Sequence, residues 1–118
     1  MRSIAALLLI AGALVTAAST SASTTMIRPV TLTIYVGKHG VAGGPKKFTV
    51  RKGAHVVIVT HSVIGEAVHL HGYDIEKKIT SKTLPVRIAF VAKVTGVFEI
   101  ELHLTETRGL RIGLLTVK

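Results

Sequence analysis

Apolar and polar residues alternate along most of the chain after residue 29, and this period of two limits the fold more than any other feature of the sequence. The first such segment, residues 30–36, reads VTLTIYV. Because successive side chains of a β-strand point to opposite faces, the pattern predicts a half-buried strand. Six further segments are predicted as strands: 47–51, 55–61, 67–73, 85–91, 97–104 and 110–117.

Short turns separate these segments, and glycines mark them at residues 37–40, 43–45, 52–53, 95–96 and 108–109. Seven short strands spaced in this way predict an all-β fold, an antiparallel Greek-key sandwich or barrel. No segment after residue 26 has the period of a long amphipathic helix, and residues 76–81 are expected to hold at most a turn or two of helix. Without a repeat or a linker, one domain is the simplest partition.

The composition agrees with a small β domain and excludes thiol chemistry. Of the 118 residues, 48% are hydrophobic but only 4% are aromatic, so the core is expected to consist of Val, Ile and Leu. The chain has no cysteine, which excludes disulfides, thiolate metal ligands, iron–sulfur clusters and a cysteine nucleophile. No hydrolase triad, phosphate-binding loop or dinucleotide motif occurs, and we predict that the protein is not an enzyme.

The N-terminus has the three parts of a secretory signal peptide. A positive start at Arg2 precedes an apolar run over residues 4–18, and residues 19–25 are small and polar. The run is shorter than the roughly 20 residues that span a bilayer, which argues against the alternative of a membrane anchor. We predict a signal peptide over residues 1–22 and one mature domain over residues 23–118, without a second hydrophobic span. The product is expected to be periplasmic or secreted.

The chain is strongly basic, with 15 Lys and Arg against 6 Asp and Glu and a net charge of +9. Several of its lysines and arginines cluster in two segments: Lys46, Lys47, Arg51 and Lys52 in the first, and Lys77, Lys78 and Lys82 in the second. They are interpreted either as edge-strand residues that hinder aggregation or as a docking surface for an acidic envelope protein or an anionic membrane. Nucleic acid is not an expected partner, because an exported chain with few aromatic residues lacks a platform for stacking bases. The net charge also works against attracting metal cations at long range.

The histidines are the most informative residues for function, and there are six: His39, His55, His61, His69, His71 and His103. Two of them form a His-x-His motif at residues 69–71. Residues two apart on a strand share a face, so both imidazoles can bind one ion without rearrangement of the backbone. The alternative is a pair of solvated histidines on an exposed face. His39 and His55 are assigned to a loop and a strand end, and His61, at the other end of that strand, could also approach the motif across the sheet.

A second group lies in the segment FEIELH at residues 98–103, where apolar core positions alternate with Glu99, Glu101 and His103. If this strand end lies near the His-x-His motif, it contributes a third imidazole and a carboxylate to the same site. The sequence leaves open whether His103 shares the face of the motif.

Two motifs, HLHGYD at residues 69–74 and TGVFEIELH at residues 95–103, lie in an order of strands that resembles the cupredoxin family. The resemblance extends over residues 30–117. It implies a copper-binding β-sandwich in which His69 matches the first copper ligand of the family, a histidine shortly before an aromatic–Asp pair.

The other ligands of the family, Cys, His and Met in that order, are not retained. Their positions fall on Leu102, near Thr105 and near Leu110. A blue-copper electron-transfer site requires a cysteine thiolate with two histidines, so this chain cannot form one. It resembles more specifically the cysteine-free, exported bacterial cupredoxin-like proteins with an HLHGYD-type motif, and that resemblance implies a histidine-rich metal site.

We therefore predict a metal site formed by His69, His71 and His103, with Glu101 as a fourth ligand or as an acceptor that orients an imidazole. Copper, as Cu²⁺ or Cu⁺, is the expected ion, with zinc as the alternative, because imidazole and carboxylate donors favour Cu²⁺ among divalent metals. The carboxylates of Asp74 and Glu76 are interpreted either as further oxygen donors or as partners of nearby lysines.

Two hypotheses of function follow. The first is a small exported protein that sequesters, carries or delivers copper through this site. The second is a β-sandwich without metal that docks on an envelope partner through its basic loops. A copper oxidase or reductase is the least favoured, because the short chain offers a single site without redox partners.

Overall fold

The computed structural model describes residues 9–118. Residues 9–29 are exposed and carry no regular secondary structure. The signal peptide predicted over residues 1–22 lies in part outside the described residues and stays a prediction, as does the domain boundary after residue 22. Within residues 9–118, no helix has the length and apolar character to cross a membrane.

Eight strands form the described fold: β1 (Val30–Val36), β2 (Lys46–Val50), β3 (His55–Ser62), β4 (Ala67–Leu70), β5 (Ile75–Lys78), β6 (Val86–Val91), β7 (Gly96–His103) and β8 (Gly109–Val117). They make a three-stranded sheet in the order β1-β3-β6 and a five-stranded sheet in the order β2-β8-β7-β4-β5. The described residues contain no helix. The all-β prediction is confirmed, and the two sheets are consistent with a β-sandwich.

The strand pairing differs from the antiparallel prediction in two places. β1 pairs with β3 in parallel, and β2 pairs with β8 in parallel. Parallel neighbours need a crossover connection. β2 lies between β1 and β3 in the chain but belongs to the five-stranded sheet, so it forms part of the crossover that joins them. Alternation along a strand reports which side chains are buried but not the direction of the neighbouring strand, which is why the sequence did not show these pairs.

The region after β4 also differs from the prediction. β4 ends at Leu70 rather than at residue 73, and a tight turn leads into β5, an eighth strand where the sequence suggested a helical turn. β5 reads IEKK and has one partly buried apolar residue, Ile75, so it lacks the alternation that marks the other strands. The turn uses positive φ angles at Gly72 and Asp74, of 82° and 56°.

The core is aliphatic, as predicted, and its arrangement determines where the polar side chains lie. Val68 and Leu70 of β4 and Ile100 and Leu102 of β7 are fully buried. Because side chains alternate across a strand, the intervening residues of β4 and β7 point to the opposite face of the five-stranded sheet. That outer face carries the His-x-His motif.

The lysine-rich segments lie at both edges of the five-stranded sheet. Lys46 and Lys47 belong to β2 at one edge, and Lys77 and Lys78 belong to β5 at the other. Charged side chains on an edge strand oppose pairing with another chain. This placement agrees with the edge-protection interpretation for these four lysines, whereas Arg51, Lys52 and Lys82 lie outside the strands.

We expect Gly72→Ala to destabilise the protein by about 2–4 kcal/mol. The residue has positive φ, and a Cβ there would overlap the ring of Phe98. Chemical denaturation measures the loss. Gly43→Ala is the matched control, because Gly43 has a φ of 79° with open space around it and tests the backbone term alone. Equal losses in the two variants would show that the Phe98 contact has no role.

Candidate metal centre

The register of β4 with its two neighbours places the candidate residues on one face of the five-stranded sheet. His69 pairs with Glu76 of β5 on one side and with Glu101 of β7 on the other. Directly paired residues point to the same side of a sheet, so these three side chains share a face. His103 pairs with Ala67, two residues before His69, and lies on that face as well. The register thus answers the question that the sequence left open for His103.

The three imidazoles of the predicted site lie against one another. The ring centroids of His69 and His71 are 4.1 Å apart, and those of His69 and His103 are 5.4 Å apart. His71 lies one residue beyond β4, but its backbone N–H donates to the carbonyl oxygen of Glu99 at 3.0 Å and holds it beside β7. Only 18% of the His69 side chain and 28% of the His103 side chain are exposed.

The carboxylate of Glu101 lies between two of the imidazoles. Its Oε1 is 3.0 Å from Nε2 of His103, and its Oε2 is 3.6 Å from Nε2 of His71. Gly109 of β8 pairs with His103, and a Cβ at Gly109 would overlap the Glu101 carboxylate. The absence of a side chain at Gly109 therefore makes room for Glu101. The sequence marked Gly109 only as a turn residue.

Two more carboxylates face the histidines. Oε2 of Glu76 is 3.7 Å from Nδ1 of His103, and Oδ1 of Asp74 is 3.8 Å from Nε2 of His69. Within residues 9–118, no lysine forms an ion pair with either carboxylate, so the suggested lysine pairing is not observed. The reason is β5, which pairs with β4 and brings Glu76 opposite His69.

Sequence reasoning missed the roles of Glu99 and Arg111. Nε and Nη2 of Arg111 both donate to Oε2 of Glu99, at 2.9 and 2.7 Å. The hydrogen bond from Arg111 lowers the pKa of Glu99, against the smaller opposing effect of desolvation. An irregularity in the β7–β8 register between Ile100 and Glu101 brings Arg111 opposite Glu101. The irregularity interrupts the alternation of β8, where Ile112 and Gly113 are buried in succession. A glycine inside a strand is a signal for such an irregularity, and sequence reasoning did not use it.

The potential ligand atoms form two groups, and within each group they lie within 4.8 Å of one another. The first group, here called the first trio, is His69, Glu76 and His103. The second trio is His71, Glu99 and Glu101. Two imidazole nitrogens, Nδ1 of His69 and Nε2 of His71, are buried without a hydrogen-bond partner. Each trio thus contains one buried nitrogen free to bind. Nitrogen and oxygen donors of this kind suit Cu²⁺, Zn²⁺ and Ni²⁺.

All six acidic residues of the chain lie at the trios or beside them. Glu76, Glu99 and Glu101 belong to the trios, and Asp74 faces His69. A surface cavity of about 470 Å³ next to His103 is lined by Glu66, Ala67, Glu76, Lys78, His103, Thr105 and Glu106. The sequence-based view that charge opposes cation binding therefore holds for the whole chain but not for this face, where negative charge is concentrated.

The remaining histidines lie elsewhere. His61 is on β3 of the other sheet and stacks on Tyr35, with ring centroids 4.7 Å apart. His55 begins β3, and His39 is exposed in the turn after β1. The suggestion that His61 approaches the motif across the sheet was wrong, because among the described strands β3 pairs only with β1 and β6.

Comparison with known proteins gives a likeness of fold. No family model and no curated protein sequence matches the chain. Among solved structures, the chain is similar to a copper-binding protein whose apo form was determined by NMR in solution. The TM-score is 0.51 at 15% sequence identity, and the match covers 75% of this chain and 88% of the other. At this identity the match supports the fold and leaves membership of the cupredoxin family a resemblance.

Proposed function

We propose that the protein is a small exported metal-binding protein that handles copper by sequestration, carriage or delivery. The observation that carries the proposal is the convergence of three imidazoles and several carboxylates on one sheet face, with Nδ1 of His69 and Nε2 of His71 buried and unpartnered. A buried polar atom without a partner costs on the order of 1–3 kcal/mol. A bound metal ion would remove that cost.

Copper is the ion that the donor set favours. Divalent copper binds nitrogen and oxygen sites more tightly than the other first-row divalent metals, and zinc is the second candidate. The similar fold of a copper-binding protein supports the same choice. Because the chain has no cysteine, the proposal excludes blue-copper electron transfer. The proposed function includes no enzymatic step. Export to the periplasm or the medium rests on the signal peptide predicted over residues 1–22, and a cupredoxin-like ancestry on the two motifs.

Calorimetric titration of the purified protein with Cu²⁺, Cu⁺ and Zn²⁺ tests the proposal. We expect Cu²⁺ to bind more tightly than Zn²⁺. We also expect Cu²⁺ to bind more tightly than Cu⁺, because the site offers no sulfur donor. Failure of all three ions to bind would contradict the proposal.

The alternative, a docking module without metal, is favoured by one observation, the clustering of Lys46, Lys47, Arg51 and Lys52 at the β2 edge. The melting temperature decides between the two. A ligand that binds only the native state stabilises it by about 2.7 kcal/mol at 100 times its Kd, so copper is expected to raise the melting temperature by about 10–20 °C. An unchanged melting temperature at saturating copper would favour the docking module.

A further inference from the structure

We infer that this face binds two metal ions, one in the first trio (His69, Glu76, His103) and one in the second trio (His71, Glu99, Glu101), joined through the Glu101 carboxylate. The inference rests on the proposed metal-binding function and extends it. The sequence predicted a single site in which all three imidazoles share an ion, and the structure divides those imidazoles between two groups.

The separations between donor atoms support an ion in each trio. Two ligand atoms that each lie about 2.1 Å from one ion are about 3.0–3.8 Å apart at coordination angles of 90–130°. Nδ1 of His103 and Oε2 of Glu76 are 3.7 Å apart, and Nε2 of His71 and Oε2 of Glu101 are 3.6 Å apart. Both distances are too long for a hydrogen bond and fall within the range for atoms that share an ion.

The two oxygens of Glu101 serve different trios. Oε2 faces His71 in the second trio, whereas Oε1 is 3.0 Å from Nε2 of His103 in the first. His103 thus keeps Nδ1 for the first ion while its other nitrogen contacts a carboxylate, the arrangement that commonly orients metal-bound histidines. Glu101 is therefore a ligand of the second ion and a positioning residue for a ligand of the first.

Electrostatics sets the order in which the ions bind. The carboxylates concentrated on this face offset the repulsion between two divalent ions. Arg111 opposes the second ion only, because its guanidinium donates twice to Oε2 of Glu99. The first trio is therefore expected to fill first, and the second trio at higher metal concentration.

Titration of the full chain with Cu²⁺, combined with native mass spectrometry, tests the inference. We expect two ions per chain in two resolved steps. Glu76→Gln should weaken the first step and Glu99→Gln the second, each by about 10- to 100-fold. Electron paramagnetic resonance provides a second readout, since two neighbouring Cu²⁺ ions broaden the signal that one equivalent gives.

The variant Arg111→Gln is expected to bind the second ion more tightly than the unchanged protein. Removing one unit charge a few ångströms from a divalent ion in a solvent-like dielectric should tighten the second step about tenfold, and loss of folding cannot produce such a gain. Arg87→Gln, on β6 of the other sheet, is the matched control and should leave both steps unchanged.

The outcomes separate this inference from the proposed function. A single ion per chain, weakened alike by Glu76→Gln and Glu99→Gln, would overturn the two-ion inference and leave metal binding intact. An Arg111→Gln variant that binds the second ion no more tightly would overturn the assignment of the second trio. No binding of any ion would refute the proposed function itself.

Discussion

The double variant His69→Ala/His71→Ala is expected to weaken both copper-binding steps by about 100-fold each. Structural zinc sites bind with about 10–16 kcal/mol through four ligands, so one ligand contributes on the order of 3 kcal/mol, which corresponds to about 100-fold in Kd. His69 belongs to the first trio and His71 to the second, so the pair removes one imidazole from each.

The control for this variant is His39→Ala/His55→Ala, which removes the same number of imidazoles from exposed positions outside the trios. Calorimetric titration with Cu²⁺ measures both proteins, and circular dichroism checks that each is folded. Retention of full affinity by His69→Ala/His71→Ala would rule out this face as the metal site.

Replacing Glu101 is expected to affect the two steps unequally. Glu101→Ala removes a ligand of the second ion and should weaken that step by about 100-fold. The first step should weaken by about 10-fold, since His103 loses only the carboxylate that orients its ring. Equal losses in both steps would contradict the different roles assigned to the two Glu101 oxygens.

Gly109→Ala tests the position of the Glu101 carboxylate without removing it. The new Cβ would overlap that carboxylate, which lies at the end of a flexible side chain and can move aside at little cost in stability. We expect both steps to weaken by about 10-fold, because the overlapped Oε1 positions His103 of the first trio and its displacement also moves the carboxylate away from His71 of the second. Gly37→Ala is the matched control, because a Cβ there meets only an ordinary contact with the Gly40 carbonyl oxygen. Similar affinities for the two variants would show that Gly109 has no part in the site.

Alternation along the chain was sufficient to predict most strands and the faces of their side chains. Strand β7 illustrates this, since its buried positions Ile100 and Leu102 leave Glu101 and His103 on the other face, as predicted. The pairing of strands depends on contacts between distant segments, which a single sequence does not report. The proximity of His103 to His69 follows from the β4–β7 register. The sequence alone could say only that His103 joins the site if the two strands are neighbours.

Sequence reasoning missed two features of the candidate site for separate physical reasons. Glu76 belongs to β5, a short, exposed edge strand whose pattern IEKK does not alternate, so the strand and its contact with His103 left no signal. Arg111 reaches Glu99 because the β7–β8 register is irregular near Glu101, and such an irregularity reverses the expected facing of a residue. Glu76 is a member of the first trio, and Arg111 pairs with Glu99 of the second.

The six carboxylates at and beside the trios also determine how a cation reaches the histidines. Positive side chains lie close to them, because Arg111 pairs with Glu99 and Lys78 lines the same cavity as Glu76. At long range the basic chain repels a cation, and the local carboxylates attract it only within a Debye length of roughly 8–10 Å. Uptake at this face therefore depends on short-range encounters rather than on electrostatic steering from the bulk solution.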